Sequence, residues 1–597
     1  MYAQAVLAVE EYRQRLKDRE SRFAHHEKTH IRLGNIRLVL VLAAAGIAWE
    51  SIWLHAFSYW WLAGSMLVFV SVASYHSGIL RARDLARRAV AFYRNGLARI
   101  EGHWAGAGQT GERFDDSHHV YAADLDLFGR GGLFELLCTA RTRMGEETLA
   151  KWLLSPSTVD QIGERHGAID ELRDQLDLRE ELAILSEDAR AGVYPEALVH
   201  WAEAPNRMKP EWIRWLAAIL SVSAFTGVVV WGYWGTAKPL VLIVLVEAIL
   251  TYQLRKPREE VLHETEQAFR DLDLLSGVLA RVEQHLFRAP WLQLIQRELS
   301  SGELAGSRAV ARLRTIVDLI DSRKNVIVSI LDVPVMYSVQ LAFAAERWRQ
   351  RHGRAVRSWL RVIGEIEAVM CLATYSYEHP ADPFPELVQG DVCFDGVEVG
   401  HPLIPAEKCV RNDVCLSEQK RVLLVSGSNM SGKSTLLRAV GINAVLAMAG
   451  APVRARRLRL TPLRVGASIR VNDSLQDGSS RFYAEITRLR KLFDLAGDDP
   501  ALLFLLDELL QGTNSNDRRI GAEGMVRALL NRGAFGLVST HDLALTDIGG
   551  PLDGQVYNVH FQDEFENGKM FFDYKLREGV VTKSNGLALM RSIGLDV

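Results

Sequence analysis

The sequence predicts a C-terminal α/β domain that follows a mainly α-helical region with two transmembrane helical hairpins. Three observations lead to this prediction. A glycine-rich loop lies between an apolar strand and a helix, a second apolar strand ends in two acids, and four apolar segments are long enough, or nearly so, to cross a bilayer. The chain has 597 residues, which is more than one hydrophobic core usually holds, so we expect several structural units.

Composition and charge narrow the class of protein. The formal net charge of -3 gives no general affinity for nucleic acid, so any contact with DNA needs a local basic patch. Five cysteines occur without the paired spacing of zinc sites, and we expect reduced thiols in a cytosolic setting. Residues 1–35 are charged and helix-prone, which predicts an N-terminal cytoplasmic helix and no signal peptide.

The first two apolar segments, Ile36 to Leu54 and Ser58 to His76, predict a transmembrane hairpin over residues 36–76. Each has about 19 residues, close to the length that spans the hydrocarbon core of a bilayer. Basic residues flank both outer ends, so the positive-inside rule places both ends in the cytoplasm. Residues 77–120 are expected to form a basic linker.

Two further segments, Trp212 to Trp234 and Pro239 to Leu254, predict a second hairpin over residues 212–254 with the same orientation. The last segment is short and contains Glu247, and Glu50 lies in the first hairpin; an acid in a bilayer is costly unless it faces a partner helix or the interface. The alternative is a pair of buried helical hairpins in a water-soluble protein. We expect a multi-pass protein of the inner (cytoplasmic) membrane that contacts membrane lipid and keeps its soluble domains in the cytoplasm.

A phosphate-binding loop is predicted by the segment GSNMSGKS, which begins at Gly427 and fits the P-loop pattern of an NTPase. The apolar run Val422 to Val425 precedes it and a helix follows, so backbone N–H groups can surround phosphate groups. Lys433 would reach the β and γ phosphates, and the Ser434 hydroxyl would bind Mg²⁺. The residues expected to contact the nucleotide are Gly427, Ser428, Asn429, Met430, Ser431, Gly432, Lys433, Ser434 and Thr435.

Two later strands complete the predicted site. The run Leu502 to Leu506 ends in Asp507 and Glu508, where Asp507 would hold Mg²⁺ through water and Glu508 would act as the general base. A third strand ends in Thr540 and His541, and a histidine in that place can lie near the γ-phosphate, although taken alone it also fits a structural or surface histidine. We therefore predict nucleotide hydrolysis with Glu508, Lys433 and His541 as catalytic residues.

Together these segments resemble the ATPase domain of the MutS family of DNA mismatch-repair proteins. The resemblance covers the P-loop GSNMSGKST, the segment DSLQDGSSRFYAEI, the acidic segment DELLQGTNSND, the switch STHDLAL and the C-terminal YKLREGVVTKSNGLALMRSIGL. It implies an ABC-like ATPase domain of the MutS type over residues 385–597, with ATP and Mg²⁺ as ligands. It also implies a homodimer through these domains, in which Ser480 contacts the nucleotide of the other subunit and His541 senses the γ-phosphate.

The resemblance extends into the helical region and also shows departures. Residues 121–205 and 257–384 look like the family's helical core and levers. The mismatch-reading N-terminal domain has no room in this chain, and the second hairpin interrupts the core where the family inserts its DNA clamp. Cys409 stands where many members carry an aromatic residue that stacks on adenine. Leu510, Gln511 and Arg481 also differ from the family pattern, but the Mg²⁺ and base residues are present, so we expect hydrolysis.

These features favour a membrane-anchored MutS-like ATPase that couples ATP turnover to binding of mismatched or structured DNA. One alternative is a nucleotide-gated membrane scaffold that binds a protein partner without DNA. Another is an ABC-type transporter ATPase, which the absence of an LSGGQ-like segment before the acidic strand disfavours.

The segment ERWRQRHGRAVRSWLR, Glu346 to Arg361, is open to three interpretations: a phosphate-backbone contact, an anionic-lipid contact or a solvated helix face.

Overall fold

The chain divides into two compact units in a computed structural model. The model describes residues 2–53, 58, 60–300, 304–428, 430–470, 481–511, 513–541, 554–566 and 569–581. The α/β unit comprises Met1–Leu137, Thr374–Ala447 and Ala451–Val597, and the helical unit comprises Cys138–Ala373 and Met448–Gly450. The C-terminal half is thus α/β and much of the preceding chain is helical, as expected.

The helices are numbered along the chain. Their bounds are α1 Tyr2–Ile52, α2 Trp60–Ile100, α3 Leu133–Leu137, α4 Arg143–Leu154, α5 Val159–Arg173, α6 Leu176–Ser186, α7 Ala189–Gly192, α8 Pro195–Glu203, α9 Trp212–Trp234, α10 Lys238–Gln253, α11 Arg255–Gln284, α12 Pro290–Leu299, α13 Gly306–Ser322, α14 Val326–Val335, α15 Tyr337–Glu378, α16 Lys433–Ala449, α17 Arg481–Leu495 and α18 Ser515–Leu530.

The strands form two sheets. Their bounds are β1 Glu386–Leu387, β2 Cys393–Val399, β3 Asn412–Ser417, β4 Val422–Ser426, β5 Arg457–Leu460, β6 Arg464–Ser468, β7 Leu502–Asp507, β8 Phe535–Thr540, β9 Val556–Glu566 and β10 Lys569–Glu578. The smaller sheet has the order β1-β5-β2-β3, and the larger has the order β10-β9-β4-β8-β7-β6. Strands β9, β4, β8, β7 and β6 run parallel, and β10 pairs antiparallel with β9.

The parallel strands of the larger sheet are buried because they are continuous apolar runs. All five residues of β4 and the first five residues of β7 are buried. Helices cover both faces of such a sheet, which is why its strands do not alternate between apolar and polar residues. A cluster that includes Phe504, Leu492 and Leu529 joins β7 to α17 and α18. The ends of β4, β7 and β8 therefore meet at one edge, where the motif residues lie.

The segment around Asp124 belongs to the α/β unit, although the sequence assigns it to the start of the helical core. Asp124 is fully buried and its Oδ1 accepts hydrogen bonds from the backbone N–H groups of Ile469, at 2.8 Å, and Arg470, at 2.7 Å. Arg488 pairs with its second oxygen. A buried carboxylate needs such partners, and all three are non-local, so the sequence alone does not place this segment.

Helices occur at both predicted hairpins: those of the first extend well beyond the predicted segments, whereas α9 and α10 agree with the predicted segments of the second to within one residue. Helices α1 and α2 run without a break through the predicted boundaries at residues 35/36 and 76/77. Among the residues that the structure describes, three helical segments are long and apolar enough to cross a membrane: Leu7–Ile52, Trp60–Ile100 and Trp212–Trp234. No residue in the most apolar stretch of the first is buried, which is unfavourable in water. A pair bent by 77°, Val328–Val335 and Tyr337–Glu378, also passes the test as one broken span.

Candidate functional site

The loop between β4 and α16 depends on two glycines. Gly427 has φ 152° and Gly432 has φ 104°, in a region that favours glycine. A Cβ atom on Gly427 would lie 2.8 Å from Ser431 Oγ and 3.2 Å from the Phe561 carbonyl oxygen. A side chain at either position would therefore disturb the loop that the sequence predicts to bind phosphate.

Lys433 begins α16 and points back into this loop. Its Nζ donates to the carbonyl oxygens of Gly427 and Ser428, both at 2.8 Å, and lies 3.9 Å from Glu508 Oε1. Burial lowers the pKa of Lys433, and the nearby Glu508 and Asp507 carboxylates partly oppose that change. The ammonium group of Lys433 therefore lies within the loop, close to the two acids at the end of β7, Asp507 and Glu508.

The predicted metal ligands lie next to each other. Ser434 Oγ donates a hydrogen bond of 2.5 Å to Asp507 Oδ2, so the first residues of α16 meet the end of β7. The Ser539 hydroxyl of β8 donates to the other oxygen of Asp507. A serine hydroxyl and a carboxylate side by side form a donor set of the oxygen type that Mg²⁺ prefers.

Glu508 and His541 also meet at this edge. His541 Nδ1 lies 3.1 Å from Glu508 Oε1, and Gln511 donates to the other carboxylate oxygen of Glu508. Glu508 has φ 50°, and its backbone N–H donates to the Ser539 carbonyl oxygen at 3.2 Å. The side chain expected to act as the base is thus held by two neighbours from different segments.

A cavity of about 600 Å³ connects these groups. Its lining includes Lys433, Ser434, Asp507 and Glu508 at one side, together with Thr435, Gly432 and Met430 from the loop. The opposite part of the lining comes from β2 of the smaller sheet and the segment that follows β2, and includes Val399, His401 and Cys409. The volume is within the range of pockets that hold small-molecule ligands and cofactors.

Two serine hydroxyls of the loop have no hydrogen-bond partner in the described part of the chain. The hydroxyl oxygens of Ser428 and Ser431 are buried and make no hydrogen bond with any residue that the structure describes. Buried hydroxyls of this kind are costly unless a ligand satisfies them. The residues present therefore fit a phosphate-bearing ligand. Ser480 and Asn429, also predicted to contact nucleotide, lie outside the described residues, as does the family-like C-terminal segment after residue 581.

The C-terminal region matches a known family model. Residues 423–596 match MutS domain V. This region of the chain is similar to MutS domain V. Endonuclease MutS2 of Thermus thermophilus is 36% identical over 188 residues, which are 30% of this chain and 24% of that protein. The DNA mismatch repair protein MutS of Thermus aquaticus is 31% identical over 252 residues, 41% of this chain and 29% of that protein.

A third relative, the DNA mismatch repair protein MutS of Listeria monocytogenes, is 36% identical over 178 residues. That match covers 29% of this chain and 20% of the relative. The chain thus matches less than a third of the length of each of these relatives.

Tyr574 is among the residues that line the cavity and were not predicted from the sequence. Tyr574 lies against the loop, and a Cβ atom on Gly432 would be 3.2 Å from its ring. The pairing of β9 with β10 shifts between Phe572 and Leu576, and Asn412 binds the backbone on both sides of the shift. Such a bulge redirects a side chain. An aromatic residue in a strand carries no local signal of this role.

Proposed function

We propose that this protein is a membrane-anchored, MutS-like ATPase that hydrolyses ATP in composite sites of a homodimer. In this proposal, helical levers couple the ATP cycle to the binding of mismatched or structured DNA. The observation that carries the proposal is the convergence of Lys433, the Ser434–Asp507 pair and the Glu508–His541 pair on one cavity beside a glycine-dependent loop.

The chain's residues have distinct roles in this proposal. Lys433 would donate to phosphate oxygens in place of the two loop carbonyls that it now contacts. Ser434 and Asp507 would hold Mg²⁺, which neutralises charge on the phosphate oxygens when bound.

Glu508 would align a water molecule and accept its proton. The water oxygen would bond to the γ-phosphorus, and the bond from that phosphorus to the β–γ bridging oxygen would break, releasing ADP and phosphate. His541, 3.1 Å from Glu508, would keep the carboxylate in position.

The DNA and membrane parts of the proposal have separate support. The relatives include proteins named for DNA mismatch repair and for endonuclease activity, which favours DNA as the ligand over a protein partner. The apolar helices with exposed faces favour a membrane anchor. The two predicted hairpins belong to different compact units, which is unlike one continuous transport bundle.

The experiment compares ATP binding and hydrolysis by the full-length protein in detergent with those of three variants. Lys433→Ala should weaken ATP binding at least tenfold, since a buried charge-assisted contact is lost. Glu508→Gln should still bind ATP but hydrolyse it at least a hundredfold more slowly. The control Glu523→Gln removes a carboxylate whose partner is Arg527 on the surface of α18, and should leave both properties unchanged. Hydrolysis that survives both site changes would contradict the assignment.

A second arm tests the ligand. The ATPase rate is measured with linear, mismatched and branched DNA at several salt concentrations. A DNA-dependent rate that falls with salt supports the DNA-coupled function. Retained ATPase activity with no DNA response at any salt concentration would favour the scaffold that binds a protein.

A further inference from the structure

A second cavity, of about 390 Å³, lies within the helical unit. Helices α9, α13 and α15 form it. Its lining contains four arginines, Arg214, Arg312, Arg347 and Arg351, together with the aromatic side chains of Trp215 and Trp348. No residue of this group belongs to the nucleotide cavity, and no carboxylate lines the pocket among the residues that the structure describes.

The four arginines differ from their neighbours in lacking an acidic partner. On α15, Arg349 pairs with Glu346 at 2.6 Å and Arg357 pairs with Glu203 at 2.8 Å. Arg361 likewise pairs with Glu298 and Glu365. In the described part of the chain, none of Arg214, Arg312, Arg347 and Arg351 lies within ion-pair distance of a carboxylate. Like charges that converge without a counter-charge repel each other, so the pocket favours an anion.

The wall behind these arginines is rigid. Trp348 is buried, donates from Nε1 to the Ala309 carbonyl oxygen at 2.8 Å and stacks on Trp201 with ring centroids 6.0 Å apart. His352 is buried beside it, with its ring 5.3 Å from that of Trp348. The positive groups are therefore presented around a fixed aromatic wall, which lowers the entropy cost of binding a ligand there.

The pocket adjoins the start of a candidate membrane span. Arg214 and Trp215 are in the first turn of α9, and the Trp215 side chain is 65% exposed. Further along α9, the Ser221 hydroxyl donates to the Val335 carbonyl oxygen at the end of α14, at 2.7 Å. Helix α14 is apolar and exposes Ile330. Arginine and tryptophan at the end of an apolar helix are typical of the headgroup layer of a membrane.

We propose that this pocket binds the phosphodiester headgroup of an anionic phospholipid at the cytoplasmic surface of the membrane. The guanidinium groups would donate to the phosphate oxygens, and the exposed Trp215 ring would lie beside the upper acyl chains. The inference rests on the membrane placement of α9 in the proposed function. Within the segment Glu346 to Arg361, it assigns lipid binding to the two arginines that line the pocket, Arg347 and Arg351, and a stabilising role to the arginines that form ion pairs.

The test compares two double variants of the full-length protein in detergent micelles. Arg312→Gln/Arg351→Gln removes two pocket charges, one from α13 and one from α15. Arg308→Gln/Arg354→Gln removes two exposed arginines from the same helices outside the pocket, so the change in net charge is equal. Retained phosphatidylglycerol is measured by native mass spectrometry, with phosphatidylcholine as the neutral lipid. Glycerol phosphate, inorganic phosphate and a short DNA duplex are titrated as competitors.

The proposal expects the wild type and the control variant to prefer phosphatidylglycerol over phosphatidylcholine, and the pocket variant to bind it about tenfold more weakly or worse. Equal retention by both variants would overturn it. Displacement of the lipid by inorganic phosphate or glycerol phosphate at equal concentration would instead assign the site to a soluble phosphate. Selective loss of DNA binding in the pocket variant, with lipid binding unchanged, would assign it to nucleic acid.

Extraction of cell membranes with alkaline carbonate separates failure of this inference from failure of the proposed anchor. If both double variants stay in the membrane pellet but show no difference in lipid binding, only the pocket assignment is wrong. If the wild-type protein is released into the supernatant, the membrane anchor itself is wrong, and the lipid assignment fails with it.

Discussion

Several residues in or beside the cavity at the glycine-rich loop have positive φ angles although they are not glycine. Glu508 has φ 50°, Leu510 has φ 58° and Met430 has φ 71°. Backbone conformations of this kind cost free energy and persist where the surroundings hold them. The backbone N–H of Leu510 donates to the buried Glu485 carboxylate at 2.6 Å, which fixes the turn after the acids. The position of Glu508 is thus determined by contacts on both sides of it.

His401 makes the stability of the α/β unit depend on pH. Burial, with a smaller contribution from Arg438, lowers the pKa of His401 to about 4, from 6.5. The unfolded chain therefore binds more protons between about pH 6.5 and 4, and the free energy of unfolding falls as the pH falls through that window. We expect a loss of roughly 1–3 kcal/mol.

Thermal unfolding in detergent without nucleotide, measured between pH 7 and 4, checks this prediction. His401→Gln keeps an acceptor for the Leu403 N–H, 3.3 Å from Nδ1, and should flatten the acid side of the curve. His118→Gln changes an exposed histidine and should leave the slope as it is. Equal slopes in all three proteins would contradict the prediction.

Some residues of the site can be predicted from a short stretch of sequence, and others depend on contacts with distant parts of the chain. Lys433, Ser434, Asp507 and Glu508 could be predicted because each lies in a short motif at a strand end, and parallel strand ends meet at one edge of a sheet. The contribution of Tyr574 could not be predicted. It depends on a shift in the pairing of β9 with β10, and on a hydrogen bond to the Tyr574 carbonyl oxygen from Asn412, 162 residues away.

At the scale of elements, β7 and β8 approach so closely that one position requires glycine. A Cβ atom on Gly536 would lie 1.9 Å from the Phe504 carbonyl oxygen. Gly536→Ala should therefore destabilise the α/β unit by about 3 kcal/mol or more, since backbone atoms must move. In contrast, Gly524 in α18 has open space around a Cβ atom, and Gly524→Ala should stabilise the unit by about 0.5–1 kcal/mol. Melting temperatures of the two variants should move in opposite directions.

A buried ion pair joins the N-terminal helices to the end of α15. Arg99 donates to both carboxylate oxygens of Glu378, at 2.8 and 2.6 Å, and Tyr12 donates to the same group at 3.3 Å. Arg99→Gln would leave a buried carboxylate without its cation, so we expect a loss of about 3–5 kcal/mol in the free energy of unfolding. The exposed pair Arg94–Glu20 is the control, and Arg94→Gln should cost less than about 1 kcal/mol.

A double-mutant cycle separates the pair from general effects of losing Arg99. Arg99→Gln/Glu378→Gln removes both charges, and should recover part of the stability lost in the single variant. Purely additive effects would show that the two side chains do not act together.

The extent of the helices was harder to predict from the sequence than their existence. Apolar runs of about 19 residues predict the two helices of the first hairpin, and the structure has helices there. Polar residues on either side continue the same helices, because the hydropathy of a segment does not mark the end of its backbone hydrogen bonding. Thus α2 continues to Ile100 and places Tyr93 against Tyr12, with ring centroids 5.6 Å apart.

At the scale of the whole molecule, α10 is the shortest of the four proposed membrane-spanning helices. Its 16 residues span about 24 Å, less than the roughly 30 Å of a bilayer core. A short span is accommodated by local thinning or by flanking residues that reach the interface, and Lys238 lies at its start. If α9 and α10 cross the membrane as proposed, the turn between them must face away from the cytoplasm.

Cysteine labelling tests this topology. Thr236 is exposed in the turn before α10, and Lys256 is exposed just after it. In intact spheroplasts, a membrane-impermeant maleimide should label Thr236→Cys, but label Lys256→Cys only after permeabilisation, since the two positions lie on opposite sides of the bilayer. Native Cys415, which is exposed on the α/β unit, should also stay unlabelled until the membrane is opened. Equal labelling of both introduced cysteines in intact spheroplasts would mean that α10 does not cross the membrane, and that its apolar surface is covered in some other way.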